Sequence, residues 1–288
     1  MSSIAERSHT SEFASEVHIY EPHKVGLPPL GAYLHQLWER RQFAFELARS
    51  SLRAKHFNTA LGQLWIILNP LLLGLVYFAL VQIIGRRGGT MAGLAYLLLG
   101  LFTFRLVSQS ISQGARSVVG GGRLILNSAF PRSLLPLSSV LTCFMLFLPM
   151  LGVYAIVHII AGLPITPQIL WGIPIIALMV VFAAGMAMFV SAVQVYFRDL
   201  AAFLRYMLRI WLYASPVLWV AAQVPDKYKP FLYLNPLYPP LTALSDAVNI
   251  GRTPPTNLLL LTLAWAVVAL VVGGLFFISR EREFAVRL

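Results

Sequence analysis

Residues 133–197 read SLLPLSSVLTCFMLFLPMLGVYAIVHIIAGLPITPQILWGIPIIALMVVFAAGMAMFVSAVQVYF, and no Asp, Glu, Lys or Arg interrupts them. As one helix this run would be about 100 Å long, against a bilayer hydrocarbon core of about 30 Å. Two crossings are therefore predicted, about 134–160 and 169–196. Gly162, Pro164 and Pro167 in AGLPITPQ supply the break between them. The run ends in QVYFRDL (194–200), where Arg198 and Asp199 return charge to the chain. That pair reads as the turn into the next span, with Asp199 placed favourably at a helix N-terminus.

The rest of the chain extends the same reading. Of 288 residues, 58% are hydrophobic and 11% charged, where soluble domains carry about 25% charged residues. The expected fold is an all-α integral membrane protein with six transmembrane helices. The other four spans fall at about 64–84, 94–115, 202–222 and 257–278. Residues 1–29 read as a polar cytoplasmic tail and 281–288 as a cytoplasmic C-terminal tail, with the six-span unit covering 61–280. In 30–60, Leu34, Leu37, Trp38, Phe45, Ala48 and Leu52 recur at helical spacing against Arg40, Arg41, Arg49, Arg53 and Lys55. That pattern predicts a basic amphipathic helix, or a broken pair, in the membrane interface. The segment 223–255 is too proline-rich to span, yet LYLNPLYPPLTALSDAVNI is too apolar for a free loop. Short re-entrant helices between spans five and six are predicted there.

Net charge is +11, with 22 Lys and Arg against 11 Asp and Glu. With both termini cytoplasmic, 16 of the basic residues lie inside and five outside, among them Arg86 and Arg87. The positive-inside rule favours that orientation in a cytoplasmic membrane. All the acids can be placed outside the predicted cores, and His158 is the one histidine inside a span. Ion-driven carriers generally need intramembrane carboxylates or histidines, so that class is disfavoured. Gly120–Gly122 lacks the Lys and hydroxyl of a nucleotide-binding loop. No His or Cys cluster has zinc spacing, and Cys143 stands alone. The rival class is an intramembrane lipid-linked glycosyl or phosphoryl transferase. It would have to use Asp199, Asp226 or Asp246, which are scattered over predicted opposite faces.

Arg105 is the charge nearest mid-span, and burying it at the bilayer centre costs from about 2.5 to well over 10 kcal/mol. Gln109 and Ser112 or Gln113 share its helical face. That face either lines a transport path, meeting sugar hydroxyls or a diphosphate, or bonds to backbone carbonyls of a neighbouring helix. Phe102, Phe104, Trp65, Tyr77, Trp211, Tyr213 and Trp219 are candidate platforms for sugar rings.

Four stretches, in order, resemble the type-2 ABC (ABC-2) permeases that export lipid-linked polysaccharides such as O-antigen, teichoic acid and capsule. They are LGQLWIILNPLLLGLVY (61–77), RLILNSAFPRSLLPLSS (123–139), QVYFRDL (194–200) and LNPLYPP (234–240). The resemblance implies a homodimer served by two copies of a separate nucleotide-binding ATPase subunit. ATP and Mg would be used by that partner, with no cofactor in this chain and no enzymatic step of its own. It also implies a gate helix at 30–60 and a coupling element for the ATPase at Arg123, Leu124, Asn127, Phe130, Pro131 and Arg132, with Arg198 and Asp199 nearby. The expected cargo is a polysaccharide linked to polyprenyl diphosphate, with a cell-wall galactan as one candidate. A drug or small-lipid exporter of the same permease class is the alternative. Gly120–Gly122, Asn127, Ser245 and Asp246 depart from the usual family pattern.

Overall fold

The structure is a computed structural model that describes residues 29–54, 62–85, 90–122, 125, 130–220 and 223–287. Nine helices of eight or more residues are found among them. Two short ones, α1 (Leu30–Glu39) and α2 (Arg41–Ala54), come first. They are followed by α3 (Trp65–Gly85), α4 (Met91–Gly120), α5 (Leu134–Ile160), α6 (Gly172–Tyr196) and α7 (Leu200–Ala214). The last two are α8 (Tyr238–Ser245) and α9 (Thr256–Arg280). Four helical stretches are long and apolar enough to cross a membrane: Met91–Gly120, Leu134–Ile160, Pro167–Tyr196 and Thr256–Glu283.

The uncharged run divides where its glycine and prolines predict. The α5 helix ends at Ile160, and Gly162 takes a left-handed conformation with φ 65°. Its amide donates to the Ile159 carbonyl at 3.0 Å, and the Leu163 amide donates to that of His158 at 3.2 Å. Those bonds satisfy carbonyls a helix end otherwise leaves open. Pro149 sits inside α5 without ending it. At the start of α4 the Thr90 side chain caps the helix, accepting from the Gly93 amide at 3.2 Å.

Small residues set the centre of the bundle. The α6 and α9 backbones approach so closely that a methyl on Gly185 would collide with the Ala269 and Leu270 backbone. One on Gly273 would collide with the Gly185 carbonyl. Gly114 of α4 meets Ala187 of α6 in the same manner. Without a hydrophobic driving force between helices in lipid, such close backbone approach is a main source of association. A second cluster, including Val118, Leu135, Met188, Phe277 and Phe284, closes the end where α5 begins.

Of the six predicted spans, four correspond to the four long apolar stretches; α3 covers the predicted first span but is not among them. Helix α7 stops at Ala214, about eight residues short of the predicted 222, leaving about 22 Å of helix. Pro216 is the reason: it forces the preceding Ser215 into extended backbone, seen at φ −102°, ψ 152°. The 30–60 segment is a broken pair over its described part. The α1 helix buries no residue, whereas α2 buries Ala44 and Ala48 and packs against α5. The Pro-rich stretch after 233 folds as α8, with seven of its eight residues buried. A π-turn, Asp246–Ile250, follows it and ends at Gly251 with φ 73°.

Candidate functional site

The first site residues come from one helical face. Arg105, Gln109 and Gln113 recur every four residues along α4, and the Gln113 amide donates to Gln109 Oε1 at 3.1 Å. Trp65 and Asn69 of α3 face them, and Cys143, Leu146, Phe147 and Met150 of α5 form the remaining wall. Together they enclose a half-open cavity of about 380 Å³. No carboxylate pairs with Arg105 among the described residues. The cavity thus presents a cation, three carboxamides and an indole inside an otherwise apolar bundle. It can accept an anion or a hydroxyl-rich group.

The seven aromatics do not gather there. Trp65 lines the cavity, but Phe102 and Phe104 are 2% and 5% exposed in the hydrophobic core and do not. Their proximity to Arg105 in sequence gives no common face, because each residue turns the helix by about 100°. Trp211 and Asn235 form a separate node. The indole donates to Asn235 Oδ1 at 2.8 Å, and the Asn235 amide donates to Ser215 Oγ at 3.1 Å and the Ala214 carbonyl at 3.0 Å. This is the Asn of LNPLYPP, and it pins the non-helical chain beyond α7 to α8. The Trp219 indole donates to the Tyr213 carbonyl at 2.9 Å.

At the other end of α5 the FPR turn is held from two sides. The Phe130 ring lies 5.1 Å from that of Phe43 on α2, and Pro131 is buried. Phe130 is half-buried, so part of its ring packs against α2. The Arg132 amide donates to Glu281 Oε1 at 2.5 Å, while its guanidinium reaches the Glu281 carbonyl. From α1, the Tyr33 hydroxyl donates to Glu281 Oε2 at 2.6 Å and lies 2.8 Å from Ser133 Oγ. Burial, and then the Glu281 charge, hold the Tyr33 phenol well above its ordinary pKa. Arg123, Leu124 and Asn127 lie outside the described residues.

Arg198 and Asp199 are exposed at the α6–α7 turn, and the Gln194 amide donates to the Arg198 carbonyl at 2.6 Å. Asp199 sits at the N-cap of α7 as predicted. It acts there through its backbone, accepting from the Ala202 and Phe203 amides at 3.0 and 3.2 Å, and its carboxylate makes no capping bond.

Sequence reasoning missed Asn69, Tyr33 and Glu281 as site residues. Asn69 carried a signal, an amide four residues after Trp65 inside an apolar helix. Tyr33 and Glu281 carried none, since their meeting spans the chain.

The profile of the ABC-2 type transporter family matches residues 41–249. An O-antigen export system permease protein RfbA from Klebsiella pneumoniae is 26% identical over 240 residues, covering 83% of this chain and 92% of that protein. Another from the same species is 29% identical over 192 residues, covering 66% and 74%. A protein of the same name from Myxococcus xanthus is 28% identical over 257 residues, covering 88% and 97%. With a multi-helical apolar bundle and a family match across most of its length, the chain belongs to the ABC-2 type transporter family.

Proposed function

We propose that this chain is the membrane permease subunit of an ABC exporter for a polysaccharide carried on polyprenyl diphosphate, a cell-wall galactan being one such cargo. Two copies would form the pathway in the cytoplasmic membrane, each served by one of two separate ATPase subunits. In this reading α3 and α7 complete six spans with both termini cytoplasmic. The α1–α2 pair lies in the inner interface, and α8 dips back from the outer face.

The observation that carries the reading is the cavity around Arg105. A guanidinium without a carboxylate is costly in a bilayer unless an anion or a wet path receives it. A guanidinium matches phosphate oxygens with two parallel N–H donors. Asn69, Gln109 and Gln113 offer donors and acceptors to sugar hydroxyls, and Trp65 offers an apolar face to a ring. At about 380 Å³ the cavity suits a diphosphate or a sugar ring rather than a polymer, which fits a station on a path. The half-buried Phe130 and Arg132 on either side of Pro131, together with the exposed Arg198, are assigned to contact with the ATPase.

Arg105→Gln tests this. Surface polysaccharide should fall at least about tenfold, a barrier rise of 1.4 kcal/mol, with lipid-linked glycan accumulating and the amount of membrane-inserted complex unchanged. Arg105→Lys should keep part of the export. Normal export from the Gln variant would overturn the assignment.

A further inference from the structure

The segment after α9 stays on the bundle. Residues Glu281–Glu283 form a 3-10 turn, and Phe284–Arg287 form a last helical turn that packs on α6. Phe284 is 0% exposed, and its ring meets that of Phe277 edge-on, with centroids 5.2 Å apart. That burial is the anchor, and the polar residues around it reach two different neighbours.

A 3-10 turn has about three residues per revolution, so positions 281, 282 and 283 point in three directions. Glu281 reaches the Phe130-Pro131-Arg132 turn, accepting from the Arg132 amide. Arg282 is exposed. Glu283 reaches the end of α6, where its Oε2 accepts from the Tyr196 hydroxyl at 2.6 Å. Arg280 and Arg287 flank the same carboxylate at 3.2 and 3.6 Å. Surface ion pairs alone contribute little; the short, charge-assisted bond from the phenol is the stronger link. The Arg287 guanidinium also lies 4.5 Å from the centre of the Tyr196 ring. Tyr196 is thus held through both its ring and its hydroxyl. It is the last residue of α6, two positions before Arg198, and the Gln194 amide donates to the Arg198 carbonyl across the same turn.

We infer that residues 281–287 are a cross-tie between the two turns assigned to the ATPase, and that Glu283 and Tyr196 are positioning residues for ATP-driven export. One turn opens α5 and the other closes α6, so they are far apart along the chain. Through Glu281 and Glu283 they are joined by three residues of backbone. A shift received at one turn then reaches the other, and the two respond to the ATPase as a unit. The role in export rests on the permease reading above; the tie itself rests on geometry alone.

The tie is tested by hydrogen–deuterium exchange on the purified full-length chain. Tyr196→Phe and Glu283→Ala should each speed exchange of the 197–203 amides by at least about threefold, the effect of losing one hydrogen bond. Glu283→Gln keeps an acceptor for the hydroxyl and should stay near the parent. Unchanged exchange in both Tyr196→Phe and Glu283→Ala would overturn the tie. The role in export is tested in cells and on the permease purified with its ATPase. Glu283→Ala should lower surface polysaccharide at least about threefold while the purified complex keeps its amount and its ATP turnover. Glu283→Gln should recover most of the export. Loss of the complex, or ATP turnover falling in step with export, would overturn the positioning role and leave a structural one. A parent complex that hydrolyses ATP yet exports no polysaccharide would overturn the permease reading, and the exchange result would still decide the tie.

Discussion

Where α6 crosses α9, Gly185 and Gly273 bring backbone against backbone, and neither helix has room for one more methyl. Helix α7 is held differently. Leu204, Leu208 and Leu212 form a buried stripe at four-residue spacing, while Phe203, Tyr206, Met207, Ile210 and Tyr213 stand exposed on the other side. The first contact is finished within the chain. The second is finished on one side only, and its bare aromatic face suits the second copy of the proposed homodimer. A bundle that must open a path between two subunits gains from this division. The rigid crossing keeps each subunit intact while the loosely seated helix sits where the subunits would move.

The comparison breaks most readily at the crossing. Gly185→Leu should cost more than about 3 kcal/mol through overpacking that neither backbone can relax. The expected readout is loss of monodisperse protein in size-exclusion chromatography, and normal recovery would show that the crossing can spread. A smaller effect is expected at the clasp around Glu281, which ties α1 to the same end of the bundle. Tyr33→Phe removes one hydrogen bond to a charged group and should cost about 1.5–3 kcal/mol. It would be read as a drop of several degrees in the thermal midpoint, and an unchanged midpoint would mean the clasp does not hold α1. The mildest effect belongs to α7. Tyr206→Ala with Ile210→Ala should leave the thermal midpoint of the isolated chain nearly unchanged while lowering the dimeric fraction measured by mass photometry. A dimer that survives would place the copy-to-copy contact elsewhere.

Much of the bundle was legible because apolar length and interruption are local properties. The uncharged run, the Gly162–Pro167 break and the limits of α5 and α9 followed from them within a few residues. Helix α7 was misjudged because the run through Ser215 and Pro216 stays apolar, and hydropathy does not register the backbone constraint that a proline imposes on its neighbour. Within the candidate site, Arg105, Gln109 and Gln113 could be read as one face from their spacing. Asn69 and the α5 wall could not, since their position depends on how three helices pack. Phe102 and Phe104 show the converse, residues of suitable chemistry whose turn of helix faces the core. The clasp was beyond reach for a different reason: Tyr33 and Glu281 are 248 positions apart, and neither stands out from its local pattern.

That clasp has a mechanical consequence. One carboxylate is shared by the first described helix, the turn that opens α5 and the segment that closes α9. Three parts pinned at a single point have little freedom to move separately. A displacement of the Phe130-Pro131-Arg132 turn would be carried at once to α1 on one side and α9 on the other. The joint would work as a fulcrum, converting a push from below into a tilt of the helices it fastens.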